Sequence, residues 1–185
     1  MAVRKSEQKL ITGDELYTMG DIGPCELING VIVPMSPAGD EHGAYEANVV
    51  VELRAFVDPR KLGKVRTGEV GVFTRRNPDT VRGADVVFIS NERYAQKTGK
   101  GFLKLAPDLV VEVLSPTNTK AELDQKLAEY FAIGVRLVWV LDPDISTVRA
   151  YSSPTEARTF GPADNLPGDE VLPGFSVPVA RLFEL

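Results

Sequence analysis

Cysteine and histidine are nearly missing from this 185-residue chain, which has one of each, Cys25 and His42. A lone cysteine cannot close an internal disulfide, and one Cys with one His supplies too few soft ligands for a structural zinc site. Any metal is therefore expected to be bound by oxygen. Long apolar runs are missing too, since no stretch approaches the roughly 20 residues that span a bilayer. The N-terminal MAVRKSEQKL has no apolar leader core, so the expectation is a cytoplasmic protein with no membrane partner. Internal repeats, low-complexity tracts and long linkers are absent as well. The length suits a single domain over residues 1–185, able to bury roughly two thirds of the surface its unfolded form exposes.

Positive charge is in deficit overall. The net charge of −5 and pI near 5.0 argue against a protein that coats nucleic acid. The distribution changes that picture, because the segment from Arg54 to Lys104 holds twelve Lys or Arg against five acids and the rest of the chain is therefore −12. One phosphate-facing surface and a solvated mixed surface both account for this basic middle third.

What is present reads as alternating elements. Thr12-Gly-Asp-Glu15 has the spacing of a capping box and opens a short helix through about Met19. Cys25-Glu-Leu-Ile, Asn29-Gly30 and Val-Ile-Val read as a hairpin ended by Pro34 to Pro37, because Asn-Gly tolerates the positive φ of a tight turn. A helix is predicted over Asp40 to Val57, with Val49, Val50, Leu53 and Val57 on one face and His42 and Glu46 continuing that line. Strands are predicted at Lys64 to Arg66, Val70 to Thr74 and Ala84 to Ile89, then a polar segment around Tyr94 to Lys104. Strand Leu109 to Leu114, helix Lys120 to Ile133 and strand Leu137 to Leu141 follow with short joints, as in a parallel βαβ unit. The proline-rich tail is expected to be less regular and to wrap a sheet edge before Val179 to Phe183 docks.

Two carboxylates stand inside these apolar strands, Asp85 in ADVVFI and Glu112 in DLVVEVL. Alternation sets Asp85 with Val87 and Ile89, and Glu112 with Val110 and Leu114. An isolated buried carboxylate costs several kcal/mol unless paired, protonated or metal-bound. A cation shared between the two is the simplest explanation, and hard oxygen ligands suit Mg²⁺ or Mn²⁺. The plainer alternative pairs each acid with an arginine at a strand end, Arg82 for Asp85. Lys126 lies on the edge of the buried stripe Leu123, Leu127, Tyr130 and Phe131, from which its ammonium can reach the carboxylates or face solvent. Tyr130 reads as core. Glu46, Glu69 and Ser115 are lesser candidates, and Ser115 reads as a turn former because no His/Asp relay surrounds it.

The segment PDLVVEVLSPTNTKAELDQKLAEYFAIGVRLVWVLDP, Pro107 to Pro143, resembles the signature of the Uma-type restriction endonucleases, a branch of the PD-(D/E)XK nuclease superfamily. Its features are E-V-x-S-P after an apolar strand, a helical Lys and Tyr downstream, and a Trp-containing strand ending in D-P. CELINGVIVPMSP, the helix that opens with His42, VRGADVVFI and LPGFSV match in order. The resemblance implies an α/β restriction-endonuclease-like fold, a central mixed β-sheet flanked by α-helices. It implies Mg²⁺-dependent (or Mn²⁺-dependent) hydrolysis of DNA, and a homodimer that sets one site on each strand. Asp85 and Glu112 are then the metal ligands, Glu26 lines the site, Lys126 is a lysine moved to the helix, and His42 contacts substrate or carries a proton. Two positions depart from the pattern. Ala84 stands where Pro is common, and Leu114 stands where the E-x-K lysine belongs. The second departure keeps open a nuclease-fold module that binds nucleic acid or protein without turnover, and a small-substrate phosphoesterase is a third reading.

Overall fold

Local chemistry starts the chain as the sequence predicts. In this computed structural model, which describes residues 9–185, Thr12 Oγ1 accepts from Glu15 N at 3.1 Å and Glu15 returns to Thr12 N at 2.7 Å, capping α1 (Gly13–Thr18). The MAVRKSEQ portion of the supposed leader-free terminus lies outside the described residues. β1 (Cys25–Ile28) and β2 (Val31–Pro34) form the hairpin, with Asn29 and Gly30 at φ of 51° and 78°. α2 (Asp40–Arg60) runs one turn beyond the expected Val57 and closes on Lys61 in the left-handed conformation.

The two strands expected at 64–66 and 70–74 are one, β3 (Gly63–Arg75), which pairs antiparallel with β4 (Thr80–Ser90). A bulge explains the apparent break. Thr67 faces Val86 and Val70 faces Ala84, so Gly68 and Glu69, at φ of 88° and 54°, share the single partner position Asp85. Bulges twist a strand and re-aim its neighbours. A short α3 (Asn91–Tyr94) stands in the polar segment.

β5 (Leu109–Val113), α4 (Lys120–Ala132) and β6 (Leu137–Asp142) end within one residue of expectation, and β5 and β6 pair in parallel from Leu109↔Leu137. Thr119 and Glu122 cap α4 reciprocally. The tail is more regular than expected. β7 (Thr147–Tyr151) and β8 (Ala157–Phe160) extend the main sheet, β9 (Asn165–Pro167) and β10 (Ser176–Pro178) form a second small sheet, and α5 (Val179–Leu182) docks through Val179 and Leu182. Among the described residues no helix is long and apolar enough to cross a membrane.

The main sheet runs β2-β1-β4-β5-β6-β7-β8, with β3 on β4, and is mixed but mostly antiparallel. Its two faces carry separate cores. Val49, Leu53 and Val57 of α2 pack with Val86, Phe88, Val111 and Trp139, whereas Leu123, Leu127 and Tyr130 of α4 pack with Val87, Val110 and Val138. Because β3 occupies one edge of β4 throughout, β1 and β5 must share the other. β1 touches it at Leu27↔Val81, β5 from Val86↔Val111 to Phe88↔Leu109. Between these lies a fork at Arg82 to Asp85 with no strand partner on that edge.

Candidate active site

The fork exposes backbone groups that a ladder would otherwise satisfy, and carboxylates take that role. Glu26 Oε1 accepts from Gly83 N at 3.1 Å, and Asp85 Oδ2 accepts from Val113 N at 2.6 Å. Extending the β4/β5 register one step past Val86↔Val111 sets Asp85 opposite Glu112. The two acids therefore meet where the ladder parts. Strict alternation does not hold for Asp85, however. Ala84 joins Val87 and Ile89 in the α4-side cluster, while Asp85 Oδ1 lies 3.5 Å from His42 Nε2 on α2. This turn of the strand comes opposite the Gly68-Glu69 bulge.

Glu112 faces α4. Lys126 Nζ donates to its Oε2 at 2.7 Å and the Tyr130 hydroxyl donates to its Oε1 at 2.6 Å. Burial pushes the Glu112 carboxyl up to about 7 even though Lys126 opposes the shift. Burial also works against the Lys126 ammonium, but Glu112 and then Glu26, 3.5 Å away, raise its pKa and keep it protonated. Burial and Glu112 raise the Tyr130 phenol well above its ordinary value. The sequence reading of Tyr130 as core is right about its burial and omits its hydroxyl.

A second layer fixes Glu26. Arg82 Nη1 donates to Glu26 Oε2 at 2.8 Å and grips Glu129 with two bonds, Nε to Oε2 at 2.6 Å and Nη2 to Oε1 at 2.9 Å. Gln125 and Thr74 complete the Glu129 shell. Arg82 thus pairs with Glu26 and Glu129, not with Asp85, which removes the strand-end pairing considered from sequence. Glu129 is the residue that sequence reasoning missed. Its signal was its place three residues after Lys126 on the same helix.

On the other face His42, Glu46 and Asp85 form a cluster whose ligand atoms all lie within 4.8 Å of one another. His42 and Glu46 sit one turn apart on α2, with Nε2 to Glu46 Oε1 at 3.1 Å, and Thr67 Oγ1 donates to Glu46 Oε2 at 2.9 Å. His42 Nε2 is buried and makes no hydrogen bond, although Glu46 Oε1 and Asp85 Oδ1 lie 3.1 and 3.5 Å away. Asp85 and then Glu46 nevertheless hold the imidazole up, to about 10, against burial. An orphaned nitrogen beside two carboxylate oxygens fits a divalent cation. This candidate donor set offers one nitrogen and two oxygens, where the sequence led to an expectation of oxygen alone.

Glu69 lies at the rim, exposed, with Oε2 just 2.4 Å from where a β-carbon on Gly83 would sit. Partial desolvation and the charge of Asp85 raise its carboxyl. Ser115 is a turn former, its N and Oγ both donating to Asn118 Oδ1. Leu114 packs against the α4-side core.

A model of the Uma2 family, described as "Putative restriction endonuclease", matches residues 14–180. No curated protein matches the chain. The fold is similar to a crystal structure described as "a putative nuclease belonging to DUF820" from Anabaena variabilis ATCC 29413. The TM-score is 0.75 at 22% identity, covering 94% of this chain and 97% of that one. At that identity the likeness is one of fold.

Proposed function

Since the chain belongs to the Uma2 restriction-endonuclease family, we propose that it is a divalent-metal-dependent endodeoxyribonuclease acting on phosphodiester bonds of DNA. The observation that carries this reading is the convergence of Asp85, Glu112 and Lys126 at the sheet fork, with His42 and Glu46 completing a donor set. Asp85 bridges the two halves of the site, with one oxygen fixed by Val113 N and the other turned to His42. Asp85, Glu46 and His42 would hold Mg²⁺ or Mn²⁺, with Glu112 across from them. Such an ion supplies Lewis acidity to a phosphoryl oxygen and acidifies water.

The chain's own groups do the rest. Lys126 remains a cation between Glu26 and Glu112 and can orient a nucleophilic water or neutralise charge growing on the phosphate. Leu114 leaves the E-x-K position without an ammonium, and Lys126 offers one from α4 to the same carboxylate. Tyr130 fixes the rotamer of Glu112, and Arg82 with Gly83 N fixes Glu26. Cleavage of both strands calls for two sites, so the active species is proposed to be a homodimer acting in the cytoplasm.

One observation favours a module that binds without turnover: both oxygens of Glu112 are already engaged, by Lys126 and Tyr130. Metal titration followed by plasmid nicking separates the readings. Wild type is expected to bind Mn²⁺ by calorimetry and nick supercoiled plasmid, Asp85→Asn to lose both, and Lys126→Met to keep the metal but lose on the order of a hundredfold or more in rate. Absence of metal binding in wild type refutes the enzymatic reading. Binding of metal and plasmid without nicking supports the inactive module.

A further inference from the structure

Of the twelve cations between Arg54 and Lys104, five have a carboxylate partner and seven have none among the described residues, three of the seven lining one cleft. Arg54, Arg76, Arg82, Arg93 and Lys104 are neutralised by carboxylates at 4.0 Å or closer. Lys61, Lys64 and Arg66 have no carboxylate partner among the described residues, and all three line one cleft of about 510 Å³ at the seam of α2 and β3. Arg54 also lines the cleft, paired at 2.8 Å with its single acid, Asp58, and Asn91 offers an amide. Lys61 and Arg66 are exposed, and the Lys64 ammonium rests 5.9 Å above the Tyr94 ring.

α2 and β3 each carry residues of both the cleft and the candidate active site's surroundings. Thr67, next to Arg66, is hydrogen-bonded to Glu46 of the His42, Glu46 and Asp85 cluster. Along α2, Arg54 and Lys61 follow Glu46 by about 12 and 22 Å at the rise of an α-helix. One strand of duplex DNA sets a phosphate about every 3.4 Å, so these cations stand about four to seven phosphates from the cluster.

We propose that this cleft is a second, non-catalytic binding site for the phosphodiester backbone of DNA, set to hold the substrate flank while the fork acts on the scissile bond. Its polyanion is identified through the nuclease reading, on which this inference rests. Unpaired ammonium and guanidinium groups on a rigid helix and strand suit successive phosphates without reading bases. A protein of net charge −5 needs such a local positive track, because the surface as a whole repels a polyanion.

The test uses the full chain and a short fluorescein-labelled DNA duplex in EDTA, so that binding is measured without cleavage. Neutralising the cleft with Lys61→Gln, Lys64→Gln and Arg66→Gln together is expected to weaken affinity on the order of tenfold or more at low salt. The slope of log K against log salt should become shallower by up to about 2.7, at roughly 0.9 per phosphate contact. The charge-conserving set Lys61→Arg, Lys64→Arg and Arg66→Lys should restore the wild-type slope. Hydrolysis of bis(p-nitrophenyl) phosphate, too small to reach the cleft from the fork, should be unchanged. A wild type that does not bind the duplex, or a neutralised variant with the wild-type slope, overturns the proposal. A wild type that binds through these residues yet hydrolyses neither plasmid nor the small diester upholds the cleft and refutes the nuclease reading.

Discussion

Lys126→Met removes the ammonium 2.7 Å from Glu112 Oε2 and 3.5 Å from Glu26 Oε1 while keeping most of the apolar stem. In metal-free protein the folded Glu112 carboxyl titrates at about 7, against 4.5 for an unperturbed glutamate. Between those values the folded state holds a proton that the unfolded state has released, so stability falls as pH rises through the interval. At about 1.4 kcal/mol per pH unit, this group's loss in wild type comes to about 3 kcal/mol and levels off above pH 7. Without Lys126 the main opposing charge is gone and the folded carboxyl keeps its proton to higher pH. The variant therefore goes on losing stability where wild type has levelled. His42, held up to about 10, contributes stability below its unfolded value of 6.5 and loses it as pH rises toward 10, equally in both proteins. Urea unfolding in EDTA at pH 5.5, 6.5 and 8.5 checks the sign. The gap between variant and wild type should be constant at the two lower values and widen by about 2 kcal/mol at the highest. Adding Glu112→Gln to both proteins should abolish the widening. A gap equal at all three pH values refutes the coupling.

Three further outcomes follow from named contacts. Gly63→Ala would set a β-carbon 2.1 Å from the Ile89 carbonyl oxygen, a backbone atom that cannot swing away, and should cost about 2–4 kcal/mol in urea unfolding. Thr119→Ala removes the reciprocal cap of α4 and should cost about 1 kcal/mol, with exchange protection lost first in the opening turn of that helix. His42→Gln removes the nitrogen donor of the cluster and should weaken Mn²⁺ binding about tenfold or more, read by calorimetry and by loss of nitrogen coupling in the Mn²⁺ electron-spin-echo spectrum.

How much of this was legible depended on the range of the interaction. β5, α4 and β6 are readable because buried strands and a one-sided helix impose their own periods, and the Thr12 cap is written within four residues. The bulge was not legible as such. Gly68 and Glu69 interrupt the apolar alternation of β3, and only their shared partner Asp85 shows the strand to be continuous. In the tail, proline and serine density obscured β7 and β8, which exist because β6 offers them an edge. At the site, the buried acids and Lys126 could be picked out by the cost of isolated charge in apolar surroundings. The Arg82 bonds to Glu26 and Glu129 join positions 56 and 47 residues apart, a separation at which no local pattern survives. The His42 and Glu46 spacing was visible, but that it opposes Asp85 follows only from how α2 lies on the sheet.

The fork has a consequence for how the protein is made. Glu26 comes from the first hairpin, Asp85 from the strand beside which that hairpin docks, and Glu112 and Lys126 from the βαβ unit after it. A ribosome that has released β1 to β4 has therefore made one flank of the site and none of its ammonium. Premature termination anywhere before α4 yields a chain without Lys126, so on the nuclease reading proposed above an incomplete product lacks the ammonium that serves the site.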